Sequence, residues 1–202
     1  GIEIRTFGSP LDADVDVPGS KSQTNRALVM AALADGPTQI ENALDSEDTR
    51  MMVRSLRSMG FGIDSSNGAE IRVAGEGGRI PTGSAELHVG NSGTTARFLT
   101  ALAGLAHGSY TIDGVARMRQ RPIQDLVDGL RPLGVDVVSV LGNGCPPVTV
   151  RGAGLTGGLT RMRGGWSSQY FTAILLVAPY AETDVVIEVE GPLVSQPYIR
   201  MT

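Results

Sequence analysis

The sequence predicts an α/β protein with mixed sheets, built from a structural unit that occurs three times. The first observation is an apolar helix pattern followed by a strand-like segment, which recurs with Gly36 and Gly108 at the same point. The second is a pair of Asn-Gly hairpin signals, Asn67-Gly68 and Asn143-Gly144, each followed by an alternating strand. Strands that alternate with helices and hairpins indicate a mixed sheet architecture.

Each unit has the order strand, loop, apolar helix, strand, amphipathic helix, hairpin. The apolar helices are predicted at 25–34, 96–106 and 170–181. They are apolar nearly all round, so we expect them to be buried on most sides. The amphipathic helices of the first two units should lie against a sheet and end at Gly60 and Gly134.

The third unit is shorter than the other two. It has a helix at 170–181, a strand at 184–190 and the start of a second helix at 195–199. We therefore expect two complete units at about 18–80 and 81–155 and a truncated third at 156–202. An incomplete unit exposes an apolar face, so we expect this chain to be part of a longer protein. A C-terminal stub that simply ends there is the alternative.

The composition is that of a globular protein, with 41% apolar and 19% charged residues. A net charge of −4 argues against general binding to nucleic acid or to an anionic membrane. The sequence has no long apolar run and no signal-peptide pattern, so we expect a cytoplasmic protein. Cys145 has no partner for a disulfide and only two histidines accompany it, so we expect no metal and no cofactor. We expect a monomer, because 202 residues suffice for a core.

Three loops of similar chemistry precede the three apolar helices. They are PGSKS at 18–22, GNSGT at 90–94 and GGWSS at 164–168. Small residues, hydroxyls and free N–H groups at a helix start favour a phosphate or carboxylate. Ordinary helix caps use the same residues, and that alternative stays open for each loop alone. A nucleotide P-loop is excluded, since Val15 and Ser20 stand where it needs glycine.

Cationic side chains cluster near the same loops. Arg26 lies one turn into an apolar helix, where a buried guanidinium without an anion would be costly, so we expect it to bind a ligand. Arg121 precedes Pro122 at a helix start and could fork onto an anion, or it could be an exposed surface residue. We expect Asp48 to stabilise a helix start and assign it no chemistry. The remaining cations of the cluster are Lys21, Arg97, Arg117 and Arg119.

These segments resemble the 5-enolpyruvylshikimate-3-phosphate synthase family, the enolpyruvyl transferases of the shikimate pathway. The matching stretches are PGSKSQTNR (18–26), GNSGTTAR (90–97), RMRQRPI (117–123), SSQ (167–169) and SQPY (195–198). The resemblance implies a lobe of three β-α-β-α-β-β units with helices inside and sheets outside, an inside-out barrel. It implies that residues 1–17 form a strand crossing from a second lobe, which is absent here. Phe98 and Arg200 depart from the residues common in the family.

The resemblance implies transfer of the enolpyruvyl group of phosphoenolpyruvate to the 5-hydroxyl of shikimate 3-phosphate, with release of phosphate. It assigns Lys21 as catalytic. It assigns shikimate 3-phosphate to Lys21, Ser22, Arg26, Ser167, Ser168, Gln169, Ser195 and Tyr198. It assigns phosphoenolpyruvate to Lys21, Asn91, Gly93, Thr94, Arg121 and Gln169.

The family's acid–base carboxylates lie in the second lobe, so we expect this chain alone to bind substrate without turnover. Glyphosate is expected to inhibit the complete enzyme, because Gly93 and Thr94 match the loop that it exploits. Three alternatives remain. They are the related transferase that acts on UDP-N-acetylglucosamine, a non-catalytic module that binds phosphosugars, and a purely structural repeat lobe.

Overall fold

A computed structural model describes Glu3, Gly8, Pro10 and residues 12–202. Residues 12–20 belong to neither a helix nor a strand. The strand expected within 1–17 thus falls partly outside the described residues, and the residues of this segment that are described belong to no strand.

The first unit is an apolar helix followed by a three-stranded antiparallel sheet and a second helix. Its elements are α1 (Lys21–Leu33), β1 (Asp35–Ile40), α2 (Glu47–Ser58), β2 (Ile63–Asn67) and β3 (Glu70–Glu76). The sheet order is β1-β3-β2. The predicted hairpin at Asn67-Gly68 joins β2 to β3, with Asn67 paired to Glu70.

The second unit has a four-stranded mixed sheet. Its elements are β4 (Ser84–His88), α3 (Gly93–Gly104), β5 (His107–Asp113), a 3-10 turn (Met118–Gln120), α4 (Gln124–Leu130) with a 3-10 extension (Arg131–Leu133), β6 (Asp136–Ser139) and β7 (Val148–Ala153). The sheet order is β4-β5-β7-β6, and β4 is parallel to β5. The segment β5-β7-β6 repeats the arrangement β1-β3-β2 of the first unit.

The second hairpin differs from its predicted form. Strands β6 and β7 pair as expected, but residues 140–147 connect them in place of a tight Asn143-Gly144 turn. The loop is drawn toward the start of α4, because the Gly144 carbonyl accepts a hydrogen bond from the Ile123 amide. Pro146 and Pro147 have no N–H to continue the ladder, so the pairing ends before them.

The third unit repeats the first half of the second. Its elements are β8 (Gly158–Arg163), α5 (Ser168–Val177), a 3-10 turn (Ala178–Tyr180), β9 (Val185–Glu190) and α6 (Gln196–Arg200). Strands β8 and β9 are parallel, as β4 and β5 are. The short helix α6 confirms the predicted start of a second helix.

The three apolar helices form the centre of the molecule, as predicted. Every residue of α3 is buried, and α3 packs against both α1 and α5. Each helix begins earlier than predicted, because a serine at the end of the preceding loop caps it. The caps are Ser20, Ser92 and Ser167, each accepting a hydrogen bond from an amide of its own first turn. The loop residues expected to bind a ligand are thus partly first-turn residues.

Two glycines allow the hairpin strands to cross the ends of the apolar helices. A Cβ on Gly75 would collide with the carbonyl oxygens of Ala34 and Gly36. A Cβ on Gly152 would collide with those of Ala103 and Ala106. The sheet can therefore lie directly on the helix end only where the strand carries no side chain.

Replacing Gly152 with alanine should destabilise the fold by about 2 kcal/mol or more, because the methyl group meets backbone atoms that cannot rotate away. The free energy of unfolding from urea titration checks this. Gly165→Ala is the matched control, since a Cβ there would contact nothing. Equal stability of the two variants would contradict the close-approach explanation.

Candidate functional site

The first turns of the three apolar helices meet at one cavity of about 460 Å³. Its lining residues come from all three loops and from the segments that follow them. They are Lys21, Ser22, Arg26, Asp48, Asn91, Gly93, Thr94, Arg121, Trp166, Ser167, Ser168, Gln169, Ser195 and Tyr198. All twelve residues that the family resemblance assigned to substrates are among them. The repeat therefore brings together side chains that lie far apart in the sequence.

The arrangement of the helices favours an anion in this cavity. The N-terminal ends of α1, α3 and α5 each contribute first-turn residues to the lining. A helix N-terminus carries a partial positive charge and unpaired N–H groups. Gln169 of α5 also donates a hydrogen bond to the Thr94 hydroxyl of α3, at 3.2 Å, which links two of these helix starts.

Arg26 is buried, with 3% of its surface exposed, and has no carboxylate partner among the described residues. Its guanidinium makes four hydrogen bonds to uncharged acceptors. They go to the Thr202 hydroxyl at 2.8 Å, the Ser22 carbonyl at 2.8 Å, the Thr172 hydroxyl at 3.1 Å and the Tyr198 carbonyl at 2.9 Å. It also lies 5.6 Å from the centre of the Phe98 ring. Burial lowers the pKa of Arg26 from its ordinary value.

These contacts limit what Arg26 can offer a ligand. A guanidinium has five N–H donors, and four of those on Arg26 are engaged within the protein. The remaining donor is on Nη1, next to the cavity-lining residue Ser22. Arg26 therefore contributes its charge and one N–H to the cavity, without the bidentate fork available to a free arginine.

Arg121 also lines the cavity and donates a hydrogen bond to the Asn91 carbonyl at 2.6 Å. Burial lowers its pKa, and repulsion from Arg97 acts in the same direction. Arg97 itself is held by the carbonyls of Gly93 and Pro122 and lies 5.3 Å from the Tyr170 ring centre. The site thus keeps two guanidinium groups close together, which an anion would relieve.

Gly93 makes this pair of guanidinium groups possible. A Cβ at this position would collide with the Arg121 guanidinium and would lie 2.5 Å from Nη1 of Arg97. Glycine is therefore required at the start of α3 for both arginines to keep their places.

Arg97 is not itself a lining residue, and two further cations of the sequence cluster also lie outside the cavity lining. Arg119 forms a bidentate ion pair with Asp113, and Arg117 donates to the side chain of Gln120. Arg117 and Arg119 therefore form surface contacts near the 3-10 turn and do not contribute to the cavity.

Sequence reasoning missed two residues of the cavity. Asp48 was expected only to stabilise a helix start, yet its carboxylate lies 2.9 Å from Nζ of Lys21. The cap of α2 is Ser46, so the Asp48 side chain is free for this contact. Trp166 is 59% exposed at the rim, with the Arg163 guanidinium 5.1 Å from its ring centre. In the sequence, the position of Trp166 directly before Ser167 was the feature that could have indicated its place at the cavity.

Within the described part of the chain, His, Cys, Asp and Glu residues form no group that could hold a metal ion. None of the helices described here has the length and apolar character needed to cross a membrane.

Comparison with known protein families identifies the family of this chain. The model of the family described as EPSP synthase (3-phosphoshikimate 1-carboxyvinyltransferase) matches residues 6–202. The chain belongs to the EPSP synthase family. The crystallographically known EPSP synthase from Acinetobacter baumannii superimposes with a TM-score of 0.79 and 28% identity, over 88% of this chain and 40% of that one. The fold is thus the inside-out α/β arrangement of EPSP synthases.

Curated relatives show the same family relationship. The 3-phosphoshikimate 1-carboxyvinyltransferase of Trichormus variabilis is 46% identical over all 202 residues, which cover 47% of that protein. The one from Shewanella baltica strain OS185 is 48% identical over 191 residues, which cover 45% of it. The chain spans about half the length of the curated relatives it matches.

Replacing Arg26 with methionine should lower the free energy of unfolding by about 2 to 4 kcal/mol, because buried acceptors on α5 and α6 lose their donor. Arg119→Met, which removes an exposed ion pair, should leave it nearly unchanged. Chemical denaturation of both variants checks this. An Arg26→Met protein as stable as Arg119→Met would show that Arg26 does not hold these helices together.

Proposed function

We propose that this chain binds shikimate 3-phosphate and supplies half of the site at which phosphoenolpyruvate donates its enolpyruvyl group to the 5-hydroxyl. The observation that carries the proposal is the single cavity at which three helix starts meet, lined by cations, hydroxyls and amides. Both substrates carry several negative charges, and such a cavity is complementary to them. Family membership supports the same assignment.

Shikimate 3-phosphate is assigned to the side of the cavity formed by α1, α5 and α6. The Ser167 oxygen accepts a bond from the Gln169 amide, so its O–H remains available as a donor to a phosphate oxygen. Ser168 and Ser195 would complete the phosphate contacts. The non-glycine residue Ser195 has a φ of +53°, a strained conformation often found at ligand sites. The remaining N–H of Arg26 and the side chains of Ser22 and Tyr198 would receive the carboxylate and the ring.

Phosphoenolpyruvate is assigned to the side formed by α3 and the segment before α4. Lys21, Asn91, Gly93, Thr94, Arg121 and Gln169 would receive it. The two neighbouring guanidinium groups supply positive charge where the phosphate leaves. A preorganised donor set of this kind stabilises charge that develops during a reaction without reorganising.

The reaction joins the 5-oxygen of shikimate 3-phosphate to the central carbon of phosphoenolpyruvate and adds a proton to the methylene carbon. The tetrahedral ketal then loses phosphate and a proton from the methyl group. Lys21 lines the cavity and is assigned to both substrates, so it is the residue of this chain that we assign to proton transfer at the 5-hydroxyl. The absence of turnover by the 202-residue chain stays a prediction.

A titration of the chain with shikimate 3-phosphate should change the fluorescence of Trp166, the only tryptophan, in a saturable way. Ser168→Ala should weaken this binding about tenfold or more, because a hydrogen bond to a charged phosphate is lost. Ser58→Ala, on an exposed face of α2, is the control.

Shikimate without the phosphate should bind much more weakly than shikimate 3-phosphate in the same titration. Equal affinity of the two ligands, or no saturable change at millimolar shikimate 3-phosphate, would overturn the assignment. Equal affinity for unrelated phosphosugars would favour a general anion-binding module.

Gly93→Ala should weaken the binding of phosphoenolpyruvate to the chain saturated with shikimate 3-phosphate by tenfold or more, because the methyl group displaces Arg121. The affinity for shikimate 3-phosphate itself should change less than about threefold, since Arg121 is assigned to the other side. Calorimetric titration with each ligand measures both. A loss of shikimate 3-phosphate binding as large as the loss of phosphoenolpyruvate binding would contradict the division of the cavity.

A further inference from the structure

Trp166 is the largest side chain that lines the cavity, and it is 59% exposed at the rim. We propose that Trp166 is a specificity-determining residue, whose indole packs against the ring of a cyclic phosphorylated ligand. The cavity then prefers cyclic ligands to acyclic ligands of the same charge. The inference deepens the proposed function and rests on it, because it concerns the same cavity and shikimate 3-phosphate belongs to this class of ligand.

The usual structural role of an apolar residue at this position does not account for Trp166. The residue directly precedes Ser167, the cap of α5. An apolar residue there commonly packs against the fourth residue of the helix as a hydrophobic staple, and that residue is Phe171. Phe171 is buried in the core, but among the described residues Trp166 belongs neither to the core nor to the partly buried residues packed against it. A staple would bury much of the indole, so its exposed surface remains available to a ligand.

The three-fold repeat shows that an indole is particular to the third unit. The residues that directly precede the three serine caps are Gly19, Asn91 and Trp166. A side chain at Gly19 is excluded, because a Cβ there would collide with the Asn42 carbonyl. Asn91 and Trp166 both line the cavity, so this position faces the ligand space in two of the units. The indole therefore gives the apolar part of a ligand a surface on one side of an otherwise polar site.

The indole is held in place before any ligand arrives. The Arg163 guanidinium lies over its ring, 5.1 Å from the ring centre. Arg163 is in turn fixed by Asp125 of α4, whose carboxylate accepts hydrogen bonds from Nε and Nη2 and is only 14% exposed. The backbone of the intervening turn is fixed as well, since the Gly164 amide donates to the Glu190 carbonyl at 2.9 Å. With Arg163 over one face of the indole, the opposite face is open to a ligand, and little ordering is needed on binding.

The contact of the indole depends on the shape of the ligand and not on its charge. The cations and hydroxyls of the cavity attract any ligand that carries a phosphate and a carboxylate. Trp166 directly precedes Ser167 and Ser168, which are assigned to the phosphate, so a ring joined to that phosphate lies within its reach. Removing the carbon skeleton of the ring and the indole from water favours the cyclic ligand. An acyclic ligand such as 3-phosphoglycerate has the same charged groups and gains little from this contact.

The test is calorimetric titration at pH 8 with shikimate 3-phosphate and with 3-phosphoglycerate. Trp166→Ala should weaken the binding of shikimate 3-phosphate by about fivefold or more and that of 3-phosphoglycerate by less than about twofold. Trp166→Phe, which keeps an aromatic ring, should restore the affinity for shikimate 3-phosphate to within about threefold of the wild type. Leu159→Ala is the control, since it removes an exposed apolar side chain of β8 that is not part of the cavity lining. It should leave both affinities unchanged.

A second experiment tests whether Arg163 and Asp125 hold the indole. The double variant Arg163→Met with Asp125→Asn removes the ion pair at unchanged net charge. Time-resolved fluorescence anisotropy of Trp166, the only tryptophan, should then show wider motion of the indole in the free protein. The affinity for shikimate 3-phosphate should fall by about two- to threefold, but by less than about 1.5-fold in a Trp166→Ala background. Arg151→Met with Asp136→Asn removes an exposed ion pair of the second unit and should change neither quantity.

An unchanged affinity for shikimate 3-phosphate in Trp166→Ala would overturn the inference, and so would an equal loss for the two ligands or a failure of Trp166→Phe to restore binding. Loss of the ion pair with equal effect in the presence and absence of the indole would contradict the role given to Arg163. If the wild type binds shikimate 3-phosphate and Trp166→Ala binds it as tightly, the inference fails and the proposed function stands. If the wild type binds neither ligand, the proposed function fails and the inference fails with it.

Discussion

The buried guanidinium of Arg26 is the constraint on which the rest of the site depends. A positive charge that is almost fully removed from water must find acceptors, and Arg26 finds them on its own helix, on α5 and on α6. Satisfying this one group therefore fixes how three helices meet. The ring of Phe98 brings α3 into the same arrangement. The cavity exists because helix starts held in this way leave a space between them.

The repeat explains why that space attracts anions. Each unit contributes a serine-capped apolar helix, and the three N-termini converge. A single helix start is a weak anion site, but three partial charges and their N–H groups act together. The cationic side chains in the first turns and the adjoining segments make the electrostatic potential of the cavity more positive. Asp48 is the exception, and it moderates this field at the position where Lys21 enters the cavity.

The outer sheets serve this arrangement by covering the helices without entering the cavity. They can approach closely because glycine stands where a strand crosses the end of an apolar helix, at Gly75 and Gly152. Gly93 applies the same principle inside the site, where the missing side chain leaves room for two guanidinium groups. In both places an absent methyl group determines how closely charged or polar groups can pack.

The sequence by itself determined the repeat, the three apolar helices and the hairpin strands, because these depend on local periodicity and local motifs. The twelve residues assigned to the candidate site followed from the family resemblance that its motifs carry. The helix starts were misplaced by a few residues, since a serine serves equally as loop or cap. Tertiary structure alone decided the partners of the charges. It showed that Arg26 is nearly saturated by uncharged acceptors, that Arg119 turns away to Asp113 and that Asp48 meets Lys21. Contacts between helix starts so far apart in the chain follow from packing, which no short sequence pattern records.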